Sequence, residues 1–104
     1  MPDQYRIIIP PRASTQLIEI CSRIEKRSEQ NARLVAQQVL DAIDALEFLP
    51  HRYRVHEHRR DPALTVRSMP VPPFIVYYRV DDVRLAVRIL SIRHGARRQP
   101  RRFR

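Results

Sequence analysis

From Tyr5 to Ile9 the chain is a short run rich in β-branched residues, closed by Pro10 and Pro11, which cannot donate to a sheet ladder. A first strand is expected there. From Ser14 the period changes. Leu17, Ile20, Cys21 and Ile24 follow the i, i+3, i+4, i+7 spacing of a helix with one buried stripe, with Ser14 or Thr15 as N-cap and Glu19, Arg23 and Lys26 facing water. Cys21, the only cysteine, cannot form an internal disulfide and falls on the apolar stripe, so it is expected to pack. Ser28 then caps a second helix whose stripe runs through Ala32, Val35, Ala36, Val39, Leu40, Ile43 and Leu46, until Pro50 forbids continuation. Two helices with one short break predict an antiparallel hairpin.

Residues 51–63 have no clean apolar period and read as a loop with at most a little strand. Leu64 to Met69 alternates around Arg67, and Pro70, Pro72 and Pro73 then interrupt. Phe74 to Val80 is a dense β-branched and aromatic run. Asp81 and Asp82 make a turn, and Arg84 to Ile92 alternates as a last strand. Tyr77 and Tyr78, adjacent on a strand, must point to opposite faces, one against the helices and one outward. The order β-α-α-β-β-β predicts an α+β domain, a helical hairpin packed on a small antiparallel-rich sheet whose last three strands form a meander. A chain of 104 residues fits one domain, here 1–95, followed by a basic tail over 96–104.

Charge adds a direction. Lys plus Arg number 20 against 11 Asp plus Glu, for a formal charge of +9, and with 43% hydrophobic residues a core is available and global disorder is excluded. Residues 1–50 carry a net charge of −1 and residues 51–104 a net charge of +10. A neutral scaffold with an electropositive back half is the footprint expected for nucleic acid or an acidic protein. All basic residues except Lys26 are arginines, which suit planar, multi-donor contacts to phosphate or carboxylate. The candidate binding residues are Arg59, Arg60, Arg93, Arg98, Arg101 and Arg102, although a terminal charge run is commonly just solvated. No stretch approaches the roughly 18 apolar residues of a membrane span, and Met1, Pro2 and Asp3 lack a signal peptide's basic start, so a soluble, cytoplasmic protein is expected. His51, His56 and His58 lack the cysteine or carboxylate company a metal site needs and sit beside Arg59 and Arg60, so no metal is expected.

One set of features goes further. Arg67 precedes a Pro-interrupted bend (Ser68, Met69, Pro70, Val71), an aromatic strand ends in Tyr77, Tyr78, Arg79 and Val80, and a closing strand runs from Val87 to His94, Gly95, Ala96 and Arg97. In this order these features resemble the RelE/ParE superfamily of toxins from bacterial type II toxin–antitoxin, or plasmid stabilisation, systems, and the phrase His94 to Arg97 favours the ParE side. The resemblance implies a small toxin without a cofactor, held inactive by a cognate antitoxin. It acts either by poisoning DNA gyrase, as ParE-like members do, or by cutting mRNA on the ribosome, as RelE-like members do.

For the nuclease alternative the resemblance makes Arg67 the sheet arginine facing the scissile phosphate and sets His94 near where some members carry an acid or base, while Arg97 and a Tyr are of the residue types that could fill the remaining roles. Metal-free RNA cleavage requires a base for the 2′-hydroxyl, cations for the phosphate and an acid for the leaving oxygen. The bland roles are a solvated strand arginine for Arg67 and a turn residue for His94. The chain also departs from the nuclease pattern. The loop before Leu64 has no lysine, its one glutamate is Glu57, arginine is a poor general base, and only Phe103 offers a ring near the C-terminus. His56 or His58 remains as a substitute base. The expectation is therefore a ParE-like toxin acting by protein contact on gyrase, with the ribosome-dependent endoribonuclease second and an inactive basic nucleic-acid-binding remnant third.

Overall fold

A computed structural model describes residues 3–103. Met1, Pro2 and the tail residue Arg104 lie outside the described residues. Strand β1 (Arg6–Ile8) leads into helices α1 (Pro11–Glu25) and α2 (Glu29–Asp44), and strands β2 (Val55–Glu57), β3 (Val66–Val71), β4 (Phe74–Asp81) and β5 (Ala86–His94) follow. The architecture is the expected α+β one, with two helices packed on one face of a sheet of order β1-β5-β4-β3-β2.

The helix starts show what sequence patterning does and does not resolve. Ser28 caps α2 as expected, its hydroxyl accepting from the Asn31 N–H at 3.2 Å. Helix α1 begins three residues before the expected start, with Pro10 at the cap and Pro11 at the first helical position. Proline's fixed φ suits that position and its missing N–H is an orphan there, so the pair that ends β1 also opens α1. Ser14 and Thr15 therefore lie inside the helix. Cys21 packs against α2, with its thiol 3.8 Å from the Ala32 carbonyl, and burial, then the nearby Glu25, raise its pKa.

The sheet is a mixed one. Strands β3, β4 and β5 form the expected antiparallel meander, but β1 pairs parallel with β5, Arg6 opposite Ala86 and Ile8 opposite Arg88. The helical hairpin carries the chain from β1 across to β2 at the opposite edge, and the strands that follow bring β5 back beside β1. The basic stretch expected to be a loop contributes β2, which pairs antiparallel with β3 through Val55 opposite Arg67. Pro70 does not end β3; it lies beyond the reach of β2, where β3 is an edge and a missing N–H costs nothing. Asp81 organises the β4–β5 turn by accepting from the Val83 and Arg84 N–H groups.

The core lies between sheet and helices. Phe74, Val76, Tyr78 and Val80 of β4, Met69 of β3, and Val87, Ile89 and Ile92 of β5 meet Ala13 of α1, Val39 and Ile43 of α2, and Leu46. Tyr78 is fully buried there and donates to the Pro50 carbonyl at 2.6 Å, which anchors the segment that follows α2. Burial raises the Tyr78 phenol pKa well above its ordinary value, and the neighbouring Arg67 only partly offsets this. Among the described residues no helix is long and apolar enough to cross a membrane.

Candidate functional site: the outer sheet face and its tail

Strand alternation divides the basic half of the chain between two surfaces. Tyr78 faces the helices, so Tyr77 and Arg79 face away, together with Ser68 opposite Tyr77 on β3 and Ser91 and Arg88 on β5. A register shift beside Tyr77 and Tyr78 accommodates an extra β5 residue and keeps Ser91 and Arg93 on this outer face and Ile92 in the core.

The outer face is not open to solvent at its centre. After Gly95, whose N–H donates to the Pro73 carbonyl at 2.7 Å, the tail turns back and crosses β4 and β3 towards β2. Tyr77 donates to Gln99 Oε1 at 2.8 Å, and the Gln99 amide donates to the carbonyls of His94 and Arg97. His56 Nε2 meets the Pro100 carbonyl at 2.6 Å, which requires that nitrogen to carry the proton. The Phe103 ring lies 4.9 Å from the Tyr77 centroid and 6.0 Å from that of His56, and His56 and Tyr77 are themselves 4.8 Å apart. Glu57 fastens the end of the strap, accepting from the Phe103 N–H at 3.1 Å while pairing with Arg59 at 3.0 Å. Arg59 and Arg79 both donate to the Phe103 carbonyl.

The charged members of this cluster are therefore engaged in holding the tail. Under it Tyr77 is only 1% exposed, and burial raises its phenol pKa against the opposing pull of Arg93 and Arg54. Burial, then the adjacent Arg59, lower the Arg79 pKa, yet a guanidinium stays charged at any working pH. Gln99, Pro100 and Phe103 make the attachments, while Arg98, Arg101 and Arg102 point to solvent. The expected solvated tail is therefore a strap with a solvated basic outer edge. Arg93 is half-buried and bonds Ser91 through Nε at 2.9 Å, and Arg60 is exposed on a groove also lined by His51, His58 and Arg67.

The three residues expected to act together in a nuclease lie apart. Arg67 shares the helix-side face with Tyr78, and its guanidinium donates to the carbonyls of His51 at 3.0 Å and Tyr53 at 2.7 Å. His94 pairs with Phe74 at the other end of β4, its ring edge-on to Phe74 at 5.4 Å and its Nδ1 accepting from the Ala96 N–H. The β4 partners of Arg67 and His94 are thus Tyr78 and Phe74, about 13 Å apart along the strand. Arg97 is exposed in the turn after His94.

Several members of the outer cluster carried little sequence signal. Glu57 is the lone acid among residues 51–60, and Phe103 is the lone aromatic of the tail, the two marks from which this contact could have been found. Gln99, Pro100 and Arg79 had none. Among the described residues no group of three or more His, Cys, Asp or Glu side chains is placed to hold a metal.

The fold that carries this face is a recurring one. A family model described as the ParE toxin of the type II toxin–antitoxin system parDE matches residues 7–99. The chain belongs to the ParE toxin family. Its fold is similar to that of the chromosomal ParDE toxin–antitoxin system of P. aeruginosa, at a TM-score of 0.68 and 17% identity over 88% of this chain and 96% of that one. It is also similar to the archaeal RelE–RelB complex of Pyrococcus horikoshii OT3, at 0.69 and 18% over 91% and 99%. The RelBE2 toxin–antitoxin complex of Mycobacterium tuberculosis gives 0.63 and 24% over 91% and 95%. At these identities the likeness is one of fold, and no curated protein matches. This ParE family member is thus a toxin of the ParE/RelE type, built on the helix hairpin and sheet described above.

Proposed function

We propose that this chain inhibits growth by binding a protein target, DNA gyrase, and that a cognate antitoxin neutralises it. The observation that carries the reading is the disposition of the outer face. Its centre lies beneath the Gln99–Phe103 strap, and Arg67 and His94 lie opposite Tyr78 and Phe74, about 13 Å apart along β4, with Arg97 in the turn beyond the sheet. Cleavage of RNA needs a base and a phosphate clamp within reach of one 2′-hydroxyl, and Arg67 instead satisfies two backbone carbonyls. A toxin that works through contact needs only a shaped, charged surface, which the solvated arginines Arg88, Arg98, Arg101 and Arg102 supply. The parDE family description and the ParDE and RelE–RelB systems among its structural neighbours support both the toxin role and the antitoxin partner. Gyrase as target places the protein in the cytoplasm, in a plasmid or chromosomal stabilisation module.

A ribosome-dependent endoribonuclease is the second reading, favoured by one specific contact. His56 stands beside Tyr77 on the outer face, and Phe103 lies over both. Removal of the strap would give that face an imidazole and a phenol near Arg79 and Arg93. The test is a supercoiling assay with purified gyrase and the purified chain. Loss of supercoiling with accumulation of cleaved DNA is expected; unaffected gyrase together with cleavage of ribosome-bound mRNA would reverse the order of the two readings.

A further inference from the structure

Pairing on both sides of β5 gathers arginines at one end of the outer face. In the row nearest the β4–β5 turn, Arg6 of β1 stands beside Ala86 of β5, and Ala86 beside Asp81 of β4. In the next outward-facing row Ile8 stands beside Arg88, and Arg88 beside Arg79. Residues paired across a sheet share a face, so Arg79 and Arg88 project side by side, about 5 Å apart at their Cα atoms. Like charges directly opposite each other destabilise a sheet. Arg84, in the turn, completes the group, and the four guanidiniums wall a groove of about 280 Å³ whose one acid among the described residues is Asp81.

Asp81 does not neutralise this set. Its carboxylate accepts the Val83 and Arg84 N–H groups and stands 4.0 Å from the exposed Arg84 guanidinium. Arg79 donates to the carbonyls of Leu64 and Phe103, which carry no charge. Arg6 and Arg88 are exposed and lie within ion-pairing distance of no acid among the described residues. Four guanidiniums against one carboxylate leave three positive charges facing a single groove.

We infer that this cradle grips the phosphodiester backbone of duplex DNA, with Arg6, Arg84 and Arg88 on its non-bridging oxygens. A DNA duplex presents one negative charge for about every 1.7 Å of its axis, so it answers several guanidiniums at once. An extended acidic peptide turns a side chain towards one face only about every 7 Å and answers fewer. Single-stranded RNA is disfavoured because such strands are held by stacking, and Tyr77 and His56 lie beneath Phe103. The cradle is formed on the flat of the sheet and raises no helix into a groove of the duplex, so its contacts are to the backbone and independent of base sequence. The inference goes beyond the toxin reading above and does not depend on gyrase, which is absent from its test.

The experiment titrates the full chain into fluorescein-labelled duplexes of two unrelated sequences, each about 20 base pairs long, and reads anisotropy over a range of salt. Binding is expected to be alike for the two sequences and steeply salt-dependent. Arg6→Gln/Arg84→Gln should weaken it about tenfold and flatten the plot of log K against log salt by about 2, the share of two phosphate contacts. Arg27→Gln/Arg33→Gln removes the same charge from the helical hairpin on the opposite side of the sheet and should leave the slope unchanged. Circular dichroism checks that both double variants are folded. Equal losses in the two double variants would reduce the binding to net charge and overturn the inference. Tighter binding of a single-stranded RNA or of a poly-glutamate chain of similar charge, or no binding of either duplex, would overturn it as well.

Discussion

Phe103 places its ring 4.9 Å from that of Tyr77, so a residue from the arginine-rich end of the chain covers the centre of the sheet. The contact joins two regions that look unrelated in sequence. It also sets the character of the toxin, because the face it covers is where Tyr77, His56, Arg79 and Glu57 converge.

Loss of that ring is expected to cost stability. Phe103 is half-buried against Tyr77 and His56. Phe103→Ala should therefore destabilise the chain by about 1–2 kcal/mol in urea unfolding. It should also speed hydrogen exchange of β4 amides around Tyr77. A change within error would mean that the tail does not hold the face in solution.

Arg67 is expected to act as a brace. Its two hydrogen bonds tie β3 to the carbonyls of His51 and Tyr53, and Arg67→Ala should cost about 1–2 kcal/mol. Growth inhibition by the variant at a temperature where it remains folded should persist. Abolished toxicity in a folded Arg67→Ala chain would restore Arg67 to the functional site.

Gly95 is held by space rather than by a left-handed backbone. A Cβ there would stand 3.1 Å from the Pro73 carbonyl oxygen, a backbone atom that already accepts the Gly95 N–H. Gly95→Ala should shift the start of the strap and lower stability by about 1–2 kcal/mol in thermal or urea unfolding.

These cases show how much of the molecule was legible from the sequence. Helical periodicity found both helices and the Ser28 cap, and strand alternation correctly separated Tyr77 from Tyr78, because both signals are local. Pairing partners are not local. The parallel union of β1 with β5 and the rise of Val55–Glu57 as an edge strand depend on what lies across the sheet. The Pro10–Pro11 pair signals the end of a strand, and proline equally suits the first turn of the helix that it opens. The five arginines of the tail suggest solvent, while the residues that anchor it are Gln99, Pro100 and Phe103. The resemblance puts Arg67 on an active face, whereas the contacts that it makes, with the carbonyls of the segment after α2, are set by residues distant in the chain and leave no local signal.

Alkaline stability should report on Tyr5. Its phenol donates to Asp82 at 2.6 Å, and that bond, with burial, raises its pKa to about 12 from 10.0. Below the unfolded value both states keep the proton and the stabilisation is fully present. As pH rises towards the folded value the unfolded phenol ionises first, so stability falls through that window. Tyr5→Phe should flatten this part of the curve in urea midpoints taken from about pH 9 upward. An unchanged alkaline slope would mean that Tyr5 and Asp82 are not bonded in solution.

The central claim is that this ParE family toxin acts by contact and not by cutting RNA. It is tested most directly by inducing the chain alone in a bacterium and mapping RNA 5′ ends across the transcriptome while growth is followed. Growth arrest without new 5′ ends inside translated codons is the result expected. Arrest accompanied by new ends that depend on translation and align with codons would contradict the account and make the face beneath the strap a nuclease site.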